Sequence, residues 1–157
     1  MQCTVQWEGE GGMAFTAQTE TGHTVRMDGA PASSPGEPGG HNLAPRPMEL
    51  VLAGTGGCTV YDVVYILKKA RQDVRGCSVR LDAERAATDP KVFTRIHMHF
   101  TVTGRQLNPD TVQRAVELSH SKYCSASAML EKTAKISVSV ETIDSESGQP
   151  NDGMNCC

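Results

Sequence analysis

No surplus of positive charge marks this chain: 15 lysines and arginines stand against 18 aspartates and glutamates, a formal net charge of -3. That balance supplies no electrostatic reason to bind nucleic acid or an acidic membrane surface, so neither is expected as a partner. Runs of about 18 consecutive apolar residues are lacking, so no membrane span is expected. The stretch Met1–Trp7 has no basic region followed by an apolar one; no export signal is read there, and the expectation is a cytoplasmic protein. Cys-x-x-Cys and Cys-x-x-His pairs are missing among the six cysteines, and Cys156 and Cys157 are adjacent in a polar tail. Structural disulfides do not suit a reducing compartment and nothing nucleates a structural zinc site, so no metal is expected.

What is present amounts to one domain. The 157 residues are 38% hydrophobic and 21% charged, enough to bury a core. A single domain is read over residues 1–143, followed by a polar tail over 144–157 that is expected to be disordered. Three short strands open it: Cys3 to Trp7, Met13 to Gln18 and His23 to Asp28, each alternating apolar and polar. Residues 29–46, rich in Gly, Pro and Ser, form a loop, either a lid or a passive linker. Pro47 suits the first turn of a helix, and the apolar pattern from Leu50 to Leu67 predicts one long central helix over 47–72. Gly54, Gly56 and Gly57 each cost about 1 kcal/mol there relative to alanine, which points to a close crossing of another backbone.

Beyond that helix the period changes. Gly76 to Arg85 and Val92 to Thr103 alternate as a hairpin, the second with Val92, Thr94, Ile96, Met98, Phe100 and Val102 on its core face. Asn108-Pro109-Asp110 starts a second helical segment, interrupted at Ser119-His120-Ser121, and Lys135 to Ile143 is a last strand. The order predicts an α+β fold: helices on one face of an antiparallel sheet of about six strands.

Chemistry concentrates on two cysteines in small-residue surroundings, Cys58 in Gly54-Thr55-Gly56-Gly57-Cys58 and Cys124 in Lys122-Tyr123-Cys124-Ser125. A thiol among glycines and serines is open to a small oxidant or another thiol. If folding brings the two together they form a redox pair, the first oxidised to a sulfenic acid and the second condensing with it. The plain alternative is that both are helix-packing cysteines, since Cys behaves as a small hydrophobe. A reactive thiol must ionise near neutral pH, which takes nearby positive charge or hydrogen bonds. Cys58 has no basic neighbour in sequence, leaving Arg46, Arg26 or a second subunit; Cys124 has Lys122 two residues before it and His120 four before, at helical spacing.

The segments Pro47 to Cys58 and Lys122 to Ser125, with the strand Val92 to Phe100, resemble the OsmC/Ohr family over about residues 2–143. That family comprises osmotically inducible and organic hydroperoxide resistance proteins. Asp28-Gly29 and Asp62-Val63-Val64 resemble its YhfA-type branch. The resemblance implies an intertwined homodimer with crossing central helices, a peroxidatic Cys58, a resolving Cys124, no cofactor, and a dithiol or lipoyl-type reductant. Two positions depart from the hydroperoxide-resistance pattern. Its glutamate falls where this chain has Met48, with Glu49 one residue later, and its arginine falls at Met13. A one-residue step turns a helical side chain by about 100°, so Glu49 either serves the thiol or complements the helix dipole. Arg46 and Arg26 are the candidate replacements for the arginine.

Of the other candidates, His97 and His99 share the polar face of one strand, either as a metal pair or as a solvated surface. Cys3 and Cys77 fall in apolar phase and read as packing residues. The functional expectation is a thiol-dependent reductase of organic hydroperoxides using Cys58 and Cys124, with Glu49 and Arg46 as supporting residues. The alternatives are a non-catalytic redox or small-ligand-binding dimer that lacks the usual Arg/Glu activation, and a structural dimer with inert cysteines.

Overall fold

A computed structural model describes residues 1–9 and 11–145. The tail expected to be disordered, with Cys156 and Cys157, lies almost wholly outside the described residues. The chain divides into two compact units, Met1–Ala53 and Gly54–Cys157, with the boundary inside the long helix.

In the first unit β1 (Cys3–Trp7), β2 (Ala14–Thr19) and β3 (Thr24–Asp28) form an antiparallel meander in that order. Register places Val5, Ala17 and Val25 in one row and Trp7, Phe15 and Met27 in the next, so one face of the small sheet is apolar. The indole Nε1 of Trp7 donates to the Gly12 carbonyl at 2.9 Å and pins the first turn. Residues 29–46 are a tethered segment. Asp28 accepts from the backbone N–H groups of Gly29, His41 and Leu43, and Gly40 N–H donates to the Ala30 carbonyl at 2.7 Å.

The long helix α1 (Pro47–Lys69) starts at the proline that anticipated it. It ends three residues short of the expected 72 because Arg71 adopts a left-handed φ of 57°. Gln72 N–H then bonds the Leu67 carbonyl and Arg71 N–H the Lys68 carbonyl, a Schellman closure with arginine where glycine is usual. By length and composition alone α1 is apolar enough to cross a bilayer. The expectation of no span counted only unbroken apolar runs, which Thr55, Thr59 and the glycines interrupt. Thr55, Gly56, Thr59, Val63 and Leu67 are its buried residues.

In the second unit β4 (Asp73–Arg85), β5 (Phe93–Arg105) and β6 (Lys135–Asp144) form a sheet with β5 in the middle. The six strands are thus split into two sheets of three, correcting the single sheet expected. Strand patterns reveal which face is apolar but not which strands pair. A second correction is that β6 runs parallel to β5. Parallel neighbours need a long crossover, supplied by α2 (Pro109–Leu118), a π-helical turn (Ser119–Tyr123) and α3 (Ser125–Leu130).

The core is apolar: Val63 and Leu67 from α1, Ile96, Met98, Phe100 and Val102 from β5, and Val112, Ala115 and Val116 from α2. The face expected for β5 fails at its start, where Phe93 is buried and Thr94 exposed. A bulge between Glu84 and Arg85 pairs Arg85 with Phe93 and Glu84 with Arg95, shifting the phase by one residue. Of the three helix glycines, Gly56 is crowded: a Cβ there would stand 2.9 Å from Leu81 Cδ1 and 3.3 Å from Val79 Cγ1, while Gly54 and Gly57 face open space. On the polar face of the sheet His97 and His99 are joined to Ser137 and Ser139 at 2.8–3.0 Å. They form a cross-strand ladder.

Candidate functional site

Asn108 begins the path to the site. Its Oδ1 accepts from Thr111 N–H at 3.0 Å and Pro109 follows at the first helical position, so α2 starts where the sequence said it would. At Ser119 the hydrogen bonding slips from α to π, and Cys124 N–H donates to the Ser119 carbonyl at 2.8 Å. The wider turn carries Ser119 against α1, where its hydroxyl reaches the Thr59 carbonyl at 3.3 Å and Asp62 Oδ2 at 3.2 Å. Cys124 then leaves the helix with extended backbone (φ -71°, ψ 104°) and caps α3, its Sγ accepting from Ser127 N–H at 3.3 Å. The helical spacing expected between His120 and Cys124 is therefore broken. His120 Nε2 instead meets Glu131 Oε1 at 3.3 Å, and Lys122 Nζ sits over the Tyr123 ring.

The result is a tight trio. The Sγ of Cys58, the Sγ of Cys124 and a carboxylate oxygen of Asp62 all lie within 4.8 Å of one another. Cys124 is 2% exposed, whereas Cys58 is only half-buried. Burial pushes the Cys124 thiol up; hydrogen bonds from Ser127 pull the other way, and the neighbouring Cys58 sulfur adds to the rise. Two sulfurs and one oxygen are a donor short of the four that close a structural zinc site.

Of the four residues expected to act, the structure brings Cys58 and Cys124 together in the second unit. Arg46 and Glu49 meet each other in the first. Glu49 Oε2 accepts from the Arg46 backbone N–H at 2.9 Å, the glutamate half of a capping box with Arg46 at the N-cap. The Arg46 guanidinium donates to Asn42 Oδ1 at 3.4 Å. Arg26 is taken by Glu8 Oε2 at 2.9 Å. Sequence reasoning passed over Asp62 and Ser119. Asp62 was legible, being four residues after Cys58 on one helix and so on the same face. Ser119 was not, because a π-helical turn has no strong sequence signature.

A half-buried thiol on a long helix, brought within 4.8 Å of a buried thiol at the cap of α3 beside a mixed sheet, defines a dithiol α+β domain. A family model described as OsmC-like protein matches residues 39–139, and the chain belongs to the OsmC family. It is 45% identical over 143 residues to Protein YhfA of Escherichia coli (strain K12), across 91% of this chain and 98% of that one. A hypothetical protein from Aquifex aeolicus VF5 has the same fold with a TM-score of 0.77 at 26% identity, covering 92% of this chain and 97% of that one. An organic hydroperoxide resistance protein OsmC from Legionella pneumophila superimposes with a TM-score of 0.64 at 20% identity, over 89% and 96% of the two chains. That last similarity is one of fold alone.

Proposed function

We propose that this chain is a cysteine-based reductase of organic hydroperoxides, with Cys58 as the peroxidatic and Cys124 as the resolving thiol. The observation that carries the reading is the contact of two sulfurs of unequal access. The accessible sulfur meets the oxidant, and the buried one waits for its product. Cys58 attacks the terminal peroxide oxygen, the O–O bond breaks, and Cys58–SH plus ROOH become Cys58–SOH plus ROH. Cys124–SH then condenses with the sulfenic acid to give the disulfide and water. A dithiol, such as a lipoyl-type donor, returns both to thiols by exchange. No metal or flavin enters this cycle. Arg46 and Glu49, engaged with each other at the start of α1, are the supporting residues of this reading.

The working form is a homodimer in the cytoplasm, with residues 1–143 acting as one OsmC-like domain. Support for a second copy comes from α1, where Tyr61 is 71% and Tyr65 50% exposed on the side that also carries the open Gly54 and Gly57. Such a face on so apolar a helix calls for a cover. The test is peroxide consumption with cumene hydroperoxide and a dihydrolipoyl or dithiothreitol donor. Turnover in the wild type and its loss in Cys58→Ser support the reading; equal rates in both sink it.

A second reading is a non-catalytic, small-ligand-binding dimer, favoured by Met13 at the position of the family's arginine. Met13 lines a hollow of about 310 Å³ in the first unit with Trp7, Gly11, Gly12, Pro38 and Gly39. Native mass spectrometry showing an apolar small molecule carried by the purified protein, with no peroxide turnover, would favour it.

A further inference from the structure

We propose that Asp62 is the proton carrier of the resolving step, taking the proton of Cys124 and delivering it to the hydroxyl that departs from Cys58. The inference rests on the dithiol reading above and adds a residue to it. Disulfide formation from a sulfenic acid needs two proton movements at opposite ends of the forming bond: the attacking sulfur sheds a proton and the leaving hydroxide gains one. The carboxylate oxygen of Asp62 is within 4.8 Å of both sulfurs. That distance is closed by a small side-chain rotation or by one bridging water.

The need for a base comes from where Cys124 sits. Only a thiolate attacks sulfur, and Cys124 is buried with Ser127 N–H and the Ser127 hydroxyl beside it. Burial holds its proton on, so it will not ionise unaided near neutral pH. Asp62, part-exposed on α1, is held in place by the Ser119 hydroxyl on its Oδ2.

His120 and Lys122 on the π-helical turn each have one partner of their own. His120 Nε2 is at Glu131, its Nδ1 is buried without a partner, and Lys122 lies over Tyr123. The balance is Cys124–SH + Cys58–SOH → Cys58–S–S–Cys124 + H₂O. The S–H and S–O bonds break, the S–S bond forms, and the Asp62 carboxylate is regenerated.

The experiment separates the two chemical steps in the wild type, Asp62→Asn, Ser119→Ala and His120→Asn. One equivalent of cumene hydroperoxide is added, and mass spectrometry follows trapped sulfenic acid, disulfide and sulfinic acid. In Asp62→Asn the sulfenic acid is expected to form within about threefold of the wild-type rate, while disulfide formation at pH 7 slows by about 10²-fold, as for loss of a positioned base. Excess peroxide should then drive Cys58 on to the sulfinic acid, and raising the pH should restore the disulfide rate as Cys124 ionises by itself. Ser119→Ala, which keeps the carboxylate but frees it, should fall between the two, and His120→Asn should match the wild type.

Equal disulfide rates in Asp62→Asn and wild type overturn the assignment, as does a loss confined to His120→Asn. If hydroperoxide yields neither sulfenic acid nor disulfide even in the wild type, the peroxidase reading fails, and diamide then tests Asp62 separately. Diamide adds to Cys58 and is displaced by Cys124 with release of the hydrazine. A slower displacement in Asp62→Asn supports the role and an unchanged one ends it.

Discussion

The Ser119 hydroxyl joins the π-helical turn to α1, standing 3.2 Å from Asp62 Oδ2 and 3.3 Å from the Thr59 carbonyl. Ser119 is fully buried and Asp62 partly so, so the carboxylate has lost water on the side the hydroxyl replaces. Ser119→Ala is expected to destabilise the fold by about 1–2 kcal/mol, the usual cost of leaving a part-buried acceptor unsatisfied. A urea titration with an unchanged m value and a lowered midpoint would show it. An unchanged midpoint would mean that water fills the gap.

Cys58 and Cys124 are the two described cysteines whose sulfurs are brought together at the site. A disulfide needs an S–S distance of about 2.05 Å, and the two sulfurs begin within 4.8 Å. Mild oxidation should therefore give one intramolecular product, read as a cross-linked pair of tryptic peptides holding Cys58 and Cys124, with Cys3 and Cys77 still free to alkylate after unfolding. Tying positions so far apart in the chain should stabilise the oxidised form by up to about 4 kcal/mol on the chain-entropy account. An oxidised protein that melts below the reduced one would show that closing the bond strains α1 against α3.

Much of this architecture was legible in the residues, and the failures share a cause. Pro47, the Asn108 cap and the strand alternations are local signals, and the elements they announce are present. Pairing is not local: the division into two sheets and the parallel β6 follow from contacts that no run of residues encodes. The bulge at Glu84/Arg85 left β5 in its expected phase from Ile96 onward but put Phe93 and not Thr94 in the core, because an extra residue flips the side chains on one side of it relative to the other. At the site the two cysteines were legible by their small neighbours, and Glu49 by its place in the first turn. What Glu49 does there is cap the helix. Asp62 was legible only through helical spacing from Cys58, and Ser119 waited on the π turn.

Two cysteines set the alkaline limit of stability. Burial raises the Cys77 thiol to about 11 and also raises that of Cys124. In the unfolded chain both ionise near about 8.5. The native state therefore holds protons that the unfolded state has released. The stabilisation is complete below the unfolded value and is lost as pH climbs from there towards the folded one. Denaturant midpoints of the reduced protein at pH 7, 9 and 10.5 should fall steadily, and Cys77→Ala should fall less steeply although it starts lower. Parallel slopes would assign the alkaline loss to other groups.

Asp28 sets the acid limit by the opposite sign. It ends β3 at 2% exposure, with Oδ1 accepting from Gly29 N–H at 2.7 Å and Oδ2 from His41 and Leu43 N–H at 3.0 and 2.9 Å. The Leu43 bond is the largest cause that draws its pKa below the ordinary carboxylate value, followed by those of Gly29 and His41, against the rise from burial. Gly40 lets the loop approach: a Cβ there would overlap the Gly29 carbonyl and Asp28 Oδ1. Because the folded pKa is depressed, the stabilisation is complete above the unfolded value of about 3.9 and disappears as pH falls through the folded one. Asp28→Asn keeps the shape but offers one carbonyl oxygen to three N–H groups, and its amide turns a donor toward one of them. The variant should melt below the wild type at pH 7, and the gap should close as both are acidified below about pH 4. Melting curves across that range check it. A gap that persists at low pH would show that the 29–46 segment is held by its packing and not by the ionised carboxylate.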